Sequence, residues 1–391
     1  MSYPGLIVLR YGELFLKGGN RRAFERLLRR NVERALDGAA NTLERGQGRL
    51  FARCEQTELP RLTRRLQRVF GLSSVSPALP ATIDHQDIDG TIKHLAEVAA
   101  AIIEQRARPA TFKVETRRAD KRFPLTSIEI SQRVGGLVAE RTSITPSMHH
   151  PELGVGIEIG QQASFVFVDR LPGAGGLPVG CEGRVALLLS GGIDSPIAGH
   201  LMQKRGCELV AIYFHSPPYT STHAQDKVVQ LGERLAIAQG GLRLLVVPFT
   251  EIQCDIRDNA PPRLAVLLYR RMMMRIANAL ARRHDALALA TGENLGQVAS
   301  QTLHNLACIE QASELPILRP LLSYDKHDTI ALARELGTFE ISTLPHEDCC
   351  SLFVPKHPET RGDPLKLARA ERELDSALLD AAVERTERID L

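Results

Sequence analysis

A short stretch of small and acidic residues follows an apolar run in the second half of the chain. Residues 185–189 read VALLL and residues 190–195 read SGGIDS. Glycines directly after a buried strand let the backbone approach a ligand closely. The amides that open the next helix carry positive partial charge and attract anions. This pattern predicts an anion site at the turn between a strand and a helix.

The turn differs from the best-known phosphate loop, G-x-x-x-x-G-K-[ST], in which a lysine reaches the terminal phosphates. The first lysine after Gly192 is Lys204, which lies too far along the predicted helix for that role. An ordinary glycine-rich turn is the alternative interpretation of SGG, and the residues alone leave both open.

Two adjacent cysteines, Cys349 and Cys350, are the other candidates for chemistry. They lie in HEDCCSLFVPKHP, with His346, Lys356 and His357 near them in sequence. A free cysteine has a pKa of about 8.5, and a cationic or helix-terminal setting lowers that pKa toward a reactive thiolate. One buried and one exposed inert thiol is the alternative. The chain has seven cysteines and no C-x-x-C pair, which indicates reduced thiols and argues against structural zinc.

Composition excludes some classes of protein. The chain has 391 residues, of which 43% are hydrophobic and 24% charged, with a net charge of +3. No apolar stretch has membrane-spanning length, and the N-terminal sequence lacks a basic region followed by a signal-peptide core. We expect a globular cytoplasmic protein of two or three domains without membrane association.

Basic residues are concentrated in the first third of the chain. Solvated helix faces are the common explanation of arginine-rich stretches. Three clusters ahead of an anion site also favour a polyanionic partner. The clusters comprise Arg21, Arg22, Arg26, Arg29 and Arg30, then Arg61, Arg64, Arg65 and Arg68, then Arg117, Arg118, Lys121 and Arg122.

The elements that must position these residues fall into an α/β multidomain pattern. Residues 1–60 are predicted to alternate strands with a basic helix, and residues 61–168 to form a small α+β module. Residues 169–183 are rich in Gly and Pro and are predicted to be a linker. In residues 184–391, apolar strands alternate with helices, which predicts a doubly wound parallel sheet. One amphipathic helix is predicted before the last residue.

Several motifs together resemble a known family. VFGLSSVSP and FKVETRRADKRFPLTSIEISQRVG resemble the THUMP domain of tRNA-modifying enzymes. LLLSGGIDSPIA, IYFHSPPYTS, YRRMMMRIA, TGENLGQVASQT, RPLLSYDK and EDCCSLFVPKHP are similar to the ThiI family of tRNA 4-thiouridine synthetases. The motifs cover most of the chain in the order expected for that family. The resemblance implies an N-terminal ferredoxin-like domain, a THUMP domain and a PP-loop ATP-pyrophosphatase domain.

The resemblance also implies ATP chemistry at the SGGIDS turn. PP-loop enzymes cleave ATP between the α- and β-phosphates, leaving AMP on an acceptor. Asp194 would lie at a Mg²⁺ ion, because a carboxylate beside a triphosphate needs a cation between them. The pyrophosphate end would be held by Ser190, Gly191, Gly192 and Ser195. The adenosine contacts would come from Leu188, Leu189, Tyr213, Phe214, Arg270, Gly292 and Gln301.

By resemblance, the reaction replaces O4 of a uridine, U8 of tRNA, with sulfur. Transfer of AMP to that oxygen converts it into a leaving group. The sulfur would be a persulfide on Cys349 or Cys350, loaded by a cysteine desulfurase, and the sequence does not decide between the two. An iron-sulfur cluster is the weaker option without C-x-x-C. Its third ligand would come from Cys181, Cys207, Cys254 or Cys308.

The resemblance implies a homodimer that binds tRNA, with Arg117, Arg118, Lys121 and Arg122 as candidate RNA-binding residues. Many members carry a C-terminal rhodanese domain. We expect none here, because this chain ends at Leu391 after the predicted amphipathic helix. The thiazole-pathway role that goes with that domain is therefore not implied.

Two other functions remain open from the sequence. A PP-loop ligase or amidotransferase of the NAD or GMP synthetase type would leave the THUMP-like module and the arginine clusters unexplained. The second alternative is an RNA-binding protein with a decayed PP-loop, and the intact SGGIDS stretch argues against it.

Overall fold

The computed structural model describes residues 5–12, 19–46, 48–104, 109–161, 163–345, 353 and 355–391. The chain divides into two compact units, Met1–Gly176 and Leu177–Leu391. None of the helices in the described residues combines the length and the apolar character needed to cross a membrane.

The first unit combines one mixed sheet with four helices among its described residues. Its elements are β1 (Gly5–Arg10), α1 (Arg21–Leu36), β2 (Ala40–Gly46), β3 (Arg49–Cys54), α2 (Leu59–Leu66), β4 (Ser74–Ala81), α3 (Ile88–Glu104), β5 (Thr111–Arg118), α4 (Ser127–Thr142), β6 (Thr145–Pro146), β7 (Leu153–Ile159), β8 (Ser164–Phe167) and β9 (Leu171–Pro172). The strand order is β2-β3-β1-β4-β8-β7-β5-β6, and β9 pairs with β4. Strand β5 pairs in parallel with β6 and with β7, and the other pairs are antiparallel.

Two apolar clusters join these helices to the sheet. Leu28 of α1 and Leu62 of α2 pack with Ile7 of β1, so the amphipathic face of the basic helix α1 is buried as its pattern predicts. Helix α4 packs on β5, and α3 packs on β4 and β8, around one apolar cluster that includes Phe112. A capping box opens α4, because Thr126 Oγ1 accepts from Glu129 N and the Glu129 carboxylate accepts from Thr126 N.

The second unit is a doubly wound domain. Its elements are β10 (Arg184–Leu188), α5 (Asp194–Lys204), β11 (Glu208–His215), α6 (Thr222–Gln239), β12 (Arg243–Pro248), α7 (Thr250–Asn259), α8 (Ala265–Arg283), β13 (Ala286–Ala290), α9 (Leu303–Glu310), β14 (Ile317–Leu318), α10 (Lys326–Leu336), α11 (Phe339–Ser342), α12 (Pro364–Glu371), α13 (Ala377–Glu384) and β15 (Glu387–Asp390). The strand order is β14-β13-β10-β11-β12-β15. Strands β10 to β14 pair in parallel, and β15 pairs antiparallel with β12.

Strand β10 is the centre of this domain. Ala186 packs in the core on one face of the sheet, and Val185 and Leu187 pack in the core on the other. The chain runs from β10 to β11 and β12 on one side and later places β13 on the other side. The strand order therefore reverses at β10, and such switch points at the carboxyl ends of strands are where open α/β sheets bind ligands.

The structure corrects the predicted C-terminal segment. In place of one amphipathic helix, α12, α13 and β15 occupy residues 364–390. Asp363 is the N-cap residue of α12, because its side chain accepts hydrogen bonds from Leu365 N and Lys366 N. Strand β15 escaped prediction because ERID has little strand character and gains its pairing only from β12.

Four strands of the first unit were also missed, the two-residue strands β6 and β9 and the longer strands β2 and β4. Strand β2 has the polar sequence ANTLERG at the edge of the sheet, and β4 contains Pro77 and Pro80. Prolines normally demote a run to an edge strand or a loop, yet β4 lies between β1 and β8. The predicted linker begins with β9, which pairs with β4, and Gly175 and Gly176 then turn the chain with positive φ.

Candidate functional site

The SGGIDS turn connects β10 to α5 and is held by its own serines. Ser195 Oγ accepts from Ser190 N at 2.9 Å and donates to Ser190 O at 3.2 Å. Gly192 N donates to Ser190 Oγ at 3.3 Å. The N-cap residue of α5 is Ile193, which has no side-chain oxygen to cap the helix. The start of α5 therefore suits an anion as its partner.

Asp194, the first residue of α5, is bound by a lysine that sequence reasoning missed. Lys326 Nζ lies 2.7 Å from Asp194 Oδ1 and 2.9 Å from Oδ2. Gln297 Nε2 donates to Oδ2 at 3.2 Å. Lys326 ends the RPLLSYDK motif, so its importance was visible in the sequence, but the two residues are 132 positions apart and the motif does not reveal the pairing.

Gly292 brings the loop after β13 against the start of α5. A Cβ atom at this position would lie 2.6 Å from Ser195 N and 2.8 Å from the carbonyl carbon of Asp194. Both contacts are with backbone, which cannot move aside as the end of a flexible side chain can. Only glycine therefore fits, and the two loops form adjoining walls of one cleft.

This cleft lies at the carboxyl edge of the parallel sheet and brings together the predicted nucleotide residues. Its lining includes Leu188, Leu189, Ser190, Gly192, Asp194, Ser195, Tyr213, Phe214, Arg270, Gly292 and Gln301. Gly191 belongs to the same turn but is not among the lining residues. Ile212, Met273, Thr291 and Glu293 also line the cleft and were not predicted. Ile212 and Met273 have the pattern of ordinary core residues, so the sequence gives no signal for them.

Glu293 is a buried carboxylate in the cleft wall, 1% exposed. Its Oε2 accepts from Thr291 Oγ1 at 3.0 Å and from Arg319 Nε at 2.9 Å. Arg270 Nη1 lies 3.6 Å from its Oε1. Arg319 also pairs with Glu310 at 2.5 Å. An arginine in a largely apolar helix such as α8 needs an anionic partner, and Glu293 is that partner for Arg270.

The predicted sulfur-carrying residues, Cys349 and Cys350, lie outside the described residues. Three other cysteines are buried, and burial raises the pKa of Cys54 to about 11 and also raises the pKa of Cys207 and of Cys308. These thiols are poor nucleophiles near neutral pH. Within the described ranges, no group of three or more His, Cys, Asp or Glu residues is arranged to hold a metal ion.

The four basic residues predicted to bind RNA differ in their local contacts. Arg117, Lys121 and Arg122 are exposed, and Arg118 is half-buried. Arg118 Nη1 donates to a backbone carbonyl of the following loop at 2.6 Å, and Arg122 makes a bidentate ion pair with Asp120, with its shortest contact at 2.8 Å. That pair lowers the pKa of Asp120 to about 2. Arg118 and Arg122 therefore shape the loop between β5 and α4.

A further group of arginines lies on the sheet of the first unit, and of its members only Arg117 was selected from the sequence. Burial lowers the pKa of Arg10 to about 10, nearby Arg170, Arg49 and Arg117 lower it further, and Glu158 opposes them. Arg49 is ion-paired with Glu158. Cations outnumber the carboxylate in this group, which leaves net positive charge. Its members are far apart in the sequence, so no local motif could identify the group.

The switch-point cleft, the SGGIDS turn and the uncapped helix that follows define the second unit as a PP-loop nucleotide-binding domain. Family models match three stretches of the chain: the thiamine biosynthesis protein (ThiI) over residues 180–376, the ThiI ferredoxin-like domain over residues 6–76 and the THUMP domain over residues 90–169. The chain belongs to the ThiI family.

Similarity to relatives extends over the full length of the chain. A probable tRNA sulfurtransferase of Moorella thermoacetica is 44% identical over 391 residues, which cover 100% of this chain and 97% of that protein. One of Staphylococcus aureus is 40% identical over 395 residues, covering 100% and 95%. The crystal structure of a 4-thiouridine synthetase in complex with RNA and bound ATP matches with a TM-score of 0.90 and 35% identity, covering 99% of this chain and 100% of that one.

Proposed function

We propose that this chain is a tRNA sulfurtransferase that uses ATP to convert a uridine of tRNA into 4-thiouridine. The convergence of the predicted nucleotide residues on one cleft carries this proposal. It is supported by full-length relatives that are named probable tRNA sulfurtransferases and by the similar 4-thiouridine synthetase that was solved with RNA and ATP. We assign the modified base to U8 and the reaction to the cytoplasm on the family resemblance.

The first step is adenylation of the uridine. O4 of the base attacks the α-phosphorus of ATP, the bond to the β-phosphate oxygen breaks, and pyrophosphate leaves. The SGG turn and the start of α5 bind the pyrophosphate, because this helix end has no side-chain cap of its own. Lys326, held by Asp194, adds a positive charge beside the leaving group.

Magnesium fits this arrangement as a partner of the phosphates. Mg²⁺ is usually held by one or two carboxylates together with substrate phosphates, and Asp194 is a partly exposed carboxylate, 22% exposed, at the start of α5. When bound, Mg²⁺ would neutralise the charge of the phosphates. Glu293 is less suited to the ion, since it is buried and two arginines, Arg270 and Arg319, already neutralise it.

The opposite wall of the cleft suits the adenosine. Tyr213 and Phe214 lie in the last three residues of β11. Leu188 ends β10 and Leu189 follows it, so the backbone groups of all four lie at the edge where the nucleotide would bind. Arg270 is oriented by Glu293 and supplies a planar cation at this wall. Gln301 lines the same cleft.

Sulfur transfer follows adenylation. The terminal sulfur of a persulfide on Cys349 or Cys350 attacks C4 of the uridine, and the C4–O bond breaks as AMP leaves. The neighbouring thiol then attacks the cysteine sulfur of the resulting mixed disulfide. This releases 4-thiouridine and leaves a protein disulfide, which an external thiol must reduce. A cysteine desulfurase loads the persulfide. The raised pKa values of Cys54, Cys207 and Cys308 argue against these three thiols as the nucleophile.

The first unit supplies the tRNA-binding surface in this proposal. Arg117 and Lys121 are exposed, and the group around Arg10 carries net positive charge. Contacts of arginine and lysine with phosphates give affinity that falls with salt. We infer that a homodimer binds the tRNA, as the family resemblance implies.

Single Cys349→Ser and Cys350→Ser variants test the proposed function. Each variant is incubated with a cysteine desulfurase, cysteine, ATP and unmodified tRNA, and mass spectrometry detects the persulfide on the protein and 4-thiouridine in digested tRNA. We expect pyrophosphate release to require tRNA and 4-thiouridine formation to be lost in at least one variant. Cys207→Ser is the matched control and should retain the reaction. Normal thiolation by both variants would contradict the persulfide route, and pyrophosphate release without tRNA would contradict the tRNA substrate.

A further inference from the structure

The stretch from α10 to the residues just after α11, residues 326–344, is fastened to the SGGIDS turn at both ends. At its start, Lys326 pairs with Asp194. Near its end, Ser342 Oγ donates to Gly192 O at 3.3 Å, and Ser342 is buried. Both contacts are made to the turn or to the first residue of α5. The position of this stretch is therefore tied to the loop that is proposed to bind pyrophosphate.

A buried lysine makes a third contact with this stretch, at Leu344, two residues after Ser342. Lys227 of α6 is 5% exposed, and its Nζ donates to Leu344 O at 3.1 Å. Lysine is seldom buried to this degree, since its ammonium must be removed from water. No ion pair of Lys227 occurs among the residues that the structure describes. A hydrogen bond from a buried ammonium to a main-chain oxygen fixes the course of the backbone at Leu344.

Leu344 lies five residues before Cys349 in the sequence. An extended chain spans at most about 3.6 Å per residue, so Cys349 can lie no more than about 18 Å from Leu344. Leu344 is therefore a fixed point close in sequence to the two cysteines. Because Ser342 fixes the same stretch to Gly192, the limit is set relative to the SGGIDS turn.

We propose that Lys227 and Ser342 are positioning residues for sulfur transfer, which hold the backbone ahead of Cys349 and Cys350 in register with the bound nucleotide. The inference rests on the proposed role of these cysteines. Neither residue lines the nucleotide cleft. Their loss should therefore slow the attack of the persulfide on the adenylated uridine while adenylation continues. The adenylated base is then hydrolysed by water, and pyrophosphate is released without formation of 4-thiouridine.

The test measures the two half-reactions in the same sample. Protein loaded with persulfide is mixed with ATP and tRNA, and pyrophosphate and 4-thiouridine are followed in a single turnover. In Lys227→Met the rate of 4-thiouridine formation should fall about tenfold, as expected when a hydrogen bond from a charged group is removed, while pyrophosphate release stays within about twofold of the parent. Lys227→Arg keeps the donor and should restore part of the rate. Lys366→Met, an exposed lysine of α12, is the control.

Ser342→Ala keeps the proposal testable if Lys227→Met folds poorly, because it removes only one hydroxyl. It should raise the ratio of pyrophosphate released to 4-thiouridine formed, as Lys227→Met should. Equal falls in both rates would reveal a purely structural role and overturn the proposal, and so would an unchanged ratio in both variants. Failure of the proposed function is recognised separately, since Cys349→Ser and Cys350→Ser would then thiolate normally.

Discussion

The nucleotide cleft of the second unit and the basic surface of the first unit were both predicted from sequence, but with different results. In the second unit, residues as far apart as Leu188 and Gln301 line one cleft. In the first unit, Arg117, Lys121 and Arg122 are exposed, but Arg122 already pairs with the buried Asp120. Arg118 is half-buried and donates to a backbone carbonyl. The residues named from a resemblance spread along the chain come together in one cleft, whereas the residues named from a cluster of like charges differ in their local contacts.

The difference has a physical origin. A phosphate site at a strand-to-helix turn needs a few residue types in a fixed local order, and the carboxyl edge of a parallel sheet then collects the remaining contacts. A positive surface on a sheet needs only charge, which any strand can supply. Clustered arginines are also used to stabilise loops, as Arg122 shows with Asp120. A cluster of basic residues in the sequence therefore does not tell whether they bind the phosphates of a partner or a carboxylate of the same chain.

Asp194→Ala should have the largest effect. It removes the partner of Lys326 and the proposed magnesium ligand, so tRNA-dependent pyrophosphate release should fall at least about 100-fold, as when a group that stabilises a transition state is removed. Affinity for tRNA should stay nearly unchanged, because the proposed RNA surface belongs to the other unit. Radiolabelled pyrophosphate release and filter binding measure the two quantities.

Asp380→Ala, an exposed aspartate of α13, is the control for this variant and should retain both activities. A loss of tRNA affinity comparable with the loss of adenylation would contradict the division of roles between the two units.

Gly292→Ala should weaken ATP binding next in order of size. The added Cβ would lie 2.6 Å from Ser195 N, so the start of α5 must move away from the loop after β13. Overpacking of this kind costs about 1 to 3 kcal/mol, which corresponds to a loss of ATP affinity of about 5-fold to 150-fold. Isothermal calorimetry with a non-hydrolysable ATP analogue measures it. Gly136→Ala, in α4 with open space around its Cβ, is the matched control. Unchanged ATP affinity in Gly292→Ala would show that the two walls of the cleft are independent.

The fold could be predicted where apolar periodicity was strong. Strands β10 to β13 and helix α8 follow from runs such as VALLL and ELVAIYF, which suit strands buried on both faces. Strand β4 could not be predicted, because Pro77 and Pro80 argue against a central strand and its place depends on pairing with β1 and β8. Pairing between distant segments supplies information that local sequence does not contain.

The same limit applies within the cleft. Leu188, Tyr213 and Gly292 could be named because motifs mark the ends of β10, β11 and β13. Lys326 and Glu293 lie in recognised motifs, but their partners are remote, and only the folded chain shows that Lys326 reaches Asp194 and that Glu293 meets Arg270. Sequence reasoning named residues that line one cleft, and the electrostatic pairs within the cleft required the structure.

Charge reversal at Arg117 and Lys121 should have a moderate effect on RNA binding. Arg117→Glu with Lys121→Glu should lower tRNA affinity several-fold and reduce the slope of log affinity against log salt by roughly 1 for each phosphate that is no longer neutralised. ATP affinity without tRNA should not change. Fluorescence anisotropy at several salt concentrations provides both numbers. If neither affinity nor slope changes, the RNA surface lies elsewhere, and Arg10, Arg49 and Arg170 are the next candidates.

Arg122→Ala should have the smallest effect on RNA binding and should act on stability instead. The hydrogen bond from Arg122 is the main cause that lowers the pKa of Asp120 to about 2, and His85 Nε2, 3.5 Å from Asp120 Oδ2, contributes less. A carboxyl whose pKa is lowered on folding stabilises the fold above its unfolded pKa of about 3.9, and this contribution is lost as the pH falls through its folded pKa. The parent should therefore exceed Arg122→Ala in urea midpoint by a constant amount above about pH 5, and the difference should shrink between about pH 4 and about pH 2. Arg133→Ala, which breaks the exposed pair with Asp89, should change the midpoint little at any pH. A drop in tRNA affinity at neutral pH with no change in stability would instead assign Arg122 to the RNA surface, and the contrast with Arg117 would disappear.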